Sequence, residues 1–223
     1  MHMHWAQLFH QIYVARWTLF GGLVTTLEIS VLVIIIGTIA GLLVGLGLCF
    51  GHLTVRLALR FYVDLIRGVP SLVLIFFSFY GTSLLGLDIS SFAAGVFALA
   101  GFATAHIGEL TRGAIQSIPH AQMDAAKSIG LGFWGRLIYA ILPQALRRML
   151  PAWVNISAEM VKGSTLLSLI GVLDLLLATQ QAIARTFLII EFYTALLVVY
   201  FIINFTISRV GAMVEQRMAY VRF

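Results

Sequence analysis

The chain has 223 residues, of which 61% are hydrophobic and 10% charged, with a formal net charge of +5 and a mean hydropathy of +1.00. A water-soluble domain carries about a quarter of its residues charged, so this composition excludes one and implies an integral membrane protein. A basic balance would point to nucleic acid in a soluble protein, but in a membrane chain basic residues orient the helices, and no nucleic-acid partner is expected.

Residues 1–18 combine His2, His4 and His10 with Trp5, Tyr13 and Trp17, a pattern that predicts an amphipathic helix at the headgroup level. His2 and His4 are potential metal ligands, but nothing nearby completes a site, so no metal is expected. The chain opens without the basic segment and small-residue cleavage site of a signal peptide and is read as mature. From Leu19 to Cys49 the only charge is Glu28, and the run exceeds the ~20 residues that cross the hydrocarbon. This predicts the first span, about 19–49. Its Gly37, Gly41 and Gly45 fall at helical spacing and predict a smooth stripe for close packing. Cys49 is the sole cysteine, so an intrachain disulfide is excluded.

His52, Arg56 and Arg60 mark a basic loop, after which a second span is expected over about 61–86. The segment DLIRGVPSL places Asp64 and Arg67 on one helical face, with Gly68 and Pro70 behind them, predicting a bent helix whose charges pair. A third span, about 89–111, ends in HIGELTRGAI, where Glu109 and Arg112 are again three apart. Beyond the loop at about 116–150, a fourth span over about 152–172 carries Asn155, Glu159 and Lys162 on one face. Asp174 to Arg185 is too polar for lipid and is expected along an interface, and a fifth span follows at about 190–209.

The loop between Pro119 and Pro151 carries Lys127, Arg136, Arg147 and Arg148 and does not read as a span. Asp124 to Ile129 predicts a short helix with an acid in its first turn, ended by Gly130, and a second helix from about Phe133 to Pro143. Together they make a knob, with Ala125 and Ala126 giving one face little bulk. A solvated loop with two amphipathic turns is the alternative reading of the same residues.

Five spans put the chain ends on opposite sides. Arg56, Arg60, Arg112, Lys127, Arg136, Arg147, Arg148, Arg209, Arg217 and Arg222 fall on one side, against Arg16 and Arg185 on the other. The rule that basic loops stay inside predicts a cytoplasmic knob and C-terminus and an external N-terminus. An odd number of spans suits half of a pore better than a carrier built from two inverted halves.

No P-loop, GxSxG, HExxH or cysteine-rich metal pattern is present, so neither ATP hydrolysis nor bond cleavage is expected of this chain. The charges at membrane depth mark a pathway or a partner instead. Glu159 and Lys162 either neutralise each other or hold the ammonium and carboxylate of a zwitterion. Glu28, beside Thr25 and Thr26, offers a carboxylate to a cation or a hydrogen bond to neighbouring helices.

The stretch DAAKSIGLGFWGRLIYAILPQALRRMLP resembles the EAA loop of the permease subunits of bacterial ABC importers, with Asp124 for the glutamate, then Ala125, Ala126, Gly130, Leu131 and, at its LP end, Leu142 and Pro143. RGVPSLVLIFFSFYG, GELTRGAIQSIP and KGSTLLSLIGVLDLL are similar to the polar amino-acid branch, of the histidine, lysine, arginine and ornithine type. The resemblance implies an all-α, type I ABC importer permease with five transmembrane helices, sited in the bacterial inner membrane with a periplasmic N-terminus. It further implies two cytoplasmic ATPase subunits that bind ATP and magnesium, a second permease subunit, identical or a sister chain, and a periplasmic amino-acid-binding protein. Asp124 to Gly130 would seat in the ATPase. The family's frequent KDTSL stands here as Lys162, Gly163, Ser164, Thr165 and Leu166, and Glu159 replaces a small or apolar residue. With Glu28, Glu109, Asn155, Glu159, Lys162, Ser164 and Thr165 as the candidate pathway, the three glutamates lean the substrate towards basic amino acids. An ion-coupled carrier or channel, or a structural subunit, are the alternatives.

Overall fold

The computed structural model describes the backbone of residues 5–218 and the side chains of residues 8–217; His2, His4 and Arg222 lie outside them. Among the described residues every regular element is helical. α1 runs over Trp5–Phe50. The expected interfacial helix and the first span are therefore one helix, because no proline occurs before Pro70 to break it. α2 (Leu53–Gly68) stops where Val69 turns extended, φ −111° and ψ 135°, as the residue before a proline must. α3 (Ser71–Leu84) starts after Pro70, so the second expected span is a broken pair. α4 (Ser91–Gln116) and α5 (His120–Ser128) follow. The three residues of α6 (Phe133–Gly135) lead through a π-helical turn, Arg136–Ile141, into α7, Leu142–Gly163. A 3₁₀ helix, Ser164–Ile170, then precedes α8 (Leu175–Thr186) and α9 (Ile189–Met218). Among the described residues α1, α4 and α9 are long and apolar enough to cross a membrane, and two bent helix pairs raise the number of candidate spans to five.

The sequence expectation for residues 133–172 needs correcting. Pro143 does not end a helix. It falls in the first turn of α7 directly after the π-helical turn, where the hydrogen-bond register is already changing and the widened coil accommodates a residue without an N–H. The Gln144 side chain donates to the Ala140 carbonyl at 2.8 Å, satisfying an acceptor at this change of register. Pro151 also lies inside α7, so the loop's second helix and the start of the fourth span are continuous.

The chain divides into two compact units. The first takes residues up to Ile34 with Pro70–Ala100 and Ser157–Ile207. Its core joins Leu8, Ala182 and Phe192, with Ile12, Leu19 and Leu188 packed around them. α8 lies so close to α1 that a Cβ on Gly22 would stand 2.7 Å from the Asp174 carbonyl oxygen. The Leu175 N–H donates to the buried Thr26 hydroxyl at 3.1 Å.

The second unit takes Ile35–Val69, Gly101–Ile156 and the chain after Ser208. Here the glycine stripe of α1 meets α4. A Cβ on Gly37 would lie 2.6 Å from that of Ala103, one on Gly41 would lie 2.7 Å from that of Ile107, and Gly45 faces Thr111. Each glycine meets a residue four further along α4, so the backbones approach over two turns. Leu48, Val63 and Ala105 are buried beside this seam. The Tyr62 hydroxyl donates to the Gly101 carbonyl at 2.8 Å and the Trp153 indole to the Thr38 hydroxyl at 2.8 Å, tying α2 to α4 and α7 to α1.

Candidate functional site

The loop expected to form a knob folds as an elbow within the second unit. Pro119, with ψ 137°, starts α5, whose first turn lacks the expected acid because the helix begins at His120 and Asp124 falls in its second turn. Gly130 ends it as predicted. At φ +81° it is left-handed; its N–H bonds the Lys127 carbonyl at 3.0 Å and the next N–H, of Leu131, reaches back to Ala126 at 3.2 Å. This is a Schellman motif, which satisfies two carbonyls that a helix end otherwise leaves unpaired.

The two alanines differ in burial. Ala126 is buried against the π-helical turn, and Ala125 is exposed. The low-relief outward face is therefore Ala121, Ala125 and Ser128, at i, i+4 and i+7, with Asp124 and Lys127 beside it. Phe133 is held edge-on to Phe50 at the end of α1, with ring centroids 5.3 Å apart. Arg148 donates to both the carbonyl and the hydroxyl of Ser117, so α7 grips the strand of chain that leads into the elbow. A cleft of about 410 Å³ opens beneath, lined by Cys49, Phe50, Ile115, His120, Met123 and Ile141 among others.

Also in the second unit, Glu109 accepts from two arginines. Arg112 reaches it through Nε at 3.0 Å and Nη2 at 2.5 Å, and Arg60 through Nη1 at 3.1 Å. Arg112 also meets Gln116. Glu109 and Arg112, three apart on α4, are thus an ion pair. Asp64 does not pair with Arg67 as expected; its ion pair is with Arg60 at 3.7 Å, one turn back on α2. The i, i+4 spacing places Asp64 where Arg60 already leans towards Glu109, so the three charges share one network.

On α7, Asn155, Glu159 and Lys162 are exposed on the helix surface, and among the described residues neither Glu159 nor Lys162 makes an ion pair. They do not neutralise each other here. A charge at the centre of a spanning helix costs about 2.5–3.5 kcal/mol on insertion scales, so this face calls for water or protein over it. Glu28 is exposed on α1. Ser164 is fully buried and donates to the Val161 carbonyl at 2.8 Å, and Thr165 donates to Lys162 at 2.7 Å. Both hydroxyls cap the end of α7, which leaves Asn155, Glu159 and Lys162 as the polar groups presented outward. Among the described residues no cluster of three or more His, Cys, Asp or Glu could hold a metal ion.

The protein family described as the binding-protein-dependent transport system inner membrane component matches residues 37–220. The chain belongs to that family. Among relatives of this permease, the glutamine transport system permease protein GlnP of Escherichia coli strain K12 is 35% identical over 86% of the chain and 89% of its own length. The probable amino-acid ABC transporter permease protein YckA of Bacillus subtilis strain 168 is 31% identical, over 82% and 80% of the two chains. A crystal structure of an amino acid ABC transporter with histidines superposes with a TM-score of 0.86 at 31% identity, covering 94% of this permease and 98% of that chain. An inward-facing MetNI methionine ABC transporter shares the fold, with a TM-score of 0.78 at 19% identity over 92% and 97%. The fold is that of a type I ABC importer permease.

Two residues of the permease escape a sequence reading. Asp174 is fully buried, and its Oδ1 accepts from the Leu177 N–H at 2.8 Å as the N-cap of α8. Thr26 fixes the same helix end from α1. The cap had a signal, an aspartate just ahead of an apolar run, but its burial depends on Gly22 letting α8 close on α1.

Proposed function

We propose that this permease is one transmembrane subunit of an ATP-driven importer for polar L-amino acids. The observation that carries the reading is the elbow. A short helix with a smooth outward face, closed by Gly130 and held at both ends by Phe50–Phe133 and Arg148–Ser117, suits a groove on a partner. The relatives named for glutamine and amino-acid transport support the substrate class.

In this reading the elbow is cytoplasmic, the N-terminus periplasmic, and each of two permease chains seats its Asp124–Gly130 helix in a separate ATPase subunit that binds ATP and magnesium. Closure of the ATPases moves the elbow as a rigid body, because α5 packs against the π-helical turn that runs on into α7. A periplasmic binding protein delivers the amino acid. Lys162 meets its carboxylate, Glu159 its ammonium or a cationic side chain, and Asn155 and Glu28 extend the polar path. Glu109 serves through Arg60 and Arg112 as a brace, with Asp64, Arg67, Gly68 and Pro70 shaping the bend beside it. A basic side chain is accepted through the exposed carboxylates of Glu28 and Glu159.

Reconstitution into liposomes with the ATPase and binding protein tests this. Uptake of glutamine, histidine or arginine is expected only with ATP inside and binding protein outside. Uptake driven by a proton or sodium gradient without the ATPase would assign the chain to ion-coupled carriers instead.

A further inference from the structure

The cleft beneath the elbow lies where four elements of the second unit meet: the end of α1, the end of α4, the start of α5 and the π-helical turn. Its floor is apolar. Ile115, Ile118 and Ile141 are buried there, and Phe50 and Met123 stand half-buried at its sides. The polar groups keep to the rim, where Gln116 and His120 are exposed. Gln116 accepts from Arg112 through Oε1, so its amide N–H groups remain to donate, and the His120 imidazole supplies a ring N–H. Among the described residues no carboxylate lines the cleft. Arg56 and Arg112 lie within electrostatic reach of the Cys49 thiol on its wall, and the carboxylate in the same reach, Glu109, is already held by Arg60 and Arg112.

We propose that this cleft binds a small monocarboxylate with an aromatic body and a short chain, its ring against Phe50 and Met123 and its carboxylate on Gln116 and His120. The volume suits such a molecule. Small-molecule sites run to roughly 300–1,000 Å³, and an apolar cavity of ~150 Å³ already holds benzene, so the 410 Å³ here leaves room for the chain and the head. A phenyl ring and a thioether both favour an aromatic partner. A rim of N–H donors without a carboxylate disfavours an ammonium head, and the two arginines close by favour a negative one. A bare anion would leave the three isoleucines uncovered, and an aliphatic side chain of a partner protein would leave the rim donors unmatched. The site lies apart from the outward face of α5 and does not rest on the role given to that face.

The test uses the full chain in nanodiscs and 3-phenylpropionate carrying a photoreactive diazirine on its ring. Labelling is expected at residues 49–50 and 115–123. Unmodified 3-phenylpropionate should compete for it about tenfold better than 3-phenylpropylamine, which has the same body and a cationic head, as the loss of a charge-assisted hydrogen bond would give. His120→Glu, at an exposed position, should lower labelling by a similar factor, His120→Gln should largely keep it through its amide donor, and Met123→Trp should block it by filling the cleft. Competition by the amine as strong as by the acid, with labelling that His120→Glu leaves unchanged, would overturn the proposal. So would labelling spread over the outer surfaces of the spanning helices with none at the cleft.

Discussion

Arg148 donates to the Ser117 carbonyl at 2.5 Å and to its hydroxyl at 3.0 Å, joining residues 31 apart in the chain with the whole elbow between them. The bond is the clasp at the elbow's base. Because Arg148 is exposed, its worth to stability is small, about 0.5–1 kcal/mol. Arg148→Gln is therefore expected to leave the melting temperature nearly unchanged but to lower amino acid moved per ATP hydrolysed, as the ATPase pushes against a looser elbow. Transport and hydrolysis falling together would mean that the clasp carries no coupling.

Gly130 tests the same element from its other end. Nothing lies within 4 Å of a Cβ built there, so only the left-handed backbone at φ +81° resists a side chain. That strain is roughly 1–2 kcal/mol for most residues, larger for a β-branched one and small for asparagine. Gly130→Val should uncouple hydrolysis from transport while the protein still inserts, and Gly130→Asn should keep coupling close to normal. Coupled transport at the normal ratio in the valine variant would count against a mechanical role for this turn.

The contrast between these two residues shows what a sequence discloses. Gly130 is readable because its role is local: a helix, a left-handed glycine and two back-bonds within six residues. Pro70 is readable for the same reason, whereas Pro119 starts α5 four residues earlier than the helix expected from Asp124. Arg148–Ser117 is not readable, since it joins parts of the chain brought together only by folding. Pro143 misled because a proline is ordinarily a helix stop, whereas here the preceding π-helical turn absorbs it. Asp64 had two candidate partners at helical spacing, Arg67 and Arg60, and Glu109 on another helix decided for Arg60. Ala125 and Ala126 read alike in sequence, and only the π-helical turn beneath α5 distinguishes the covered one.

The glycine seam makes a reciprocal test possible. A Cβ on Gly37 would lie 2.6 Å from the Cβ of Ala103, while the nearest backbone atoms are 3.5 Å away. Gly37→Ala should thus destabilise by about 1–3 kcal/mol through overpacking. Adding Ala103→Gly moves the methyl across the seam and should recover most of that loss, less the roughly 1 kcal/mol that glycine costs inside a helix. Thermal unfolding of the single and double variants in detergent checks it; additive losses would show that the two residues do not meet.

Glu159 is exposed and, among the described residues, makes no ion pair. Replacement by glutamine removes charge at nearly constant shape. If the carboxylate meets a cationic side chain, Glu159→Gln should weaken arginine or histidine by about 1–3 kcal/mol, the range of a charged hydrogen bond, and glutamine by much less. Competition assays with the three amino acids measure the difference. Equal losses for all three would confine Glu159 to packing or to the shared ammonium.

Asp174 separates a cap from a charge. Its Oδ1 serves the Leu177 N–H, while Oδ2 is buried with no hydrogen-bond partner among the described residues. Asparagine keeps the capping oxygen and discards a charge whose burial is costly, so Asp174→Asn should match or exceed the native stability. Asp174→Ala removes the cap and should lose about 1–2 kcal/mol, with α8 loosening first at that end, where the bond from Leu175 to Thr26 and the packing on Gly22 are left to hold it. Hydrogen exchange at Leu177 reads this directly. Rapid exchange there in the asparagine variant would show that the carboxylate's charge, and not its capping oxygen, holds α8 against α1.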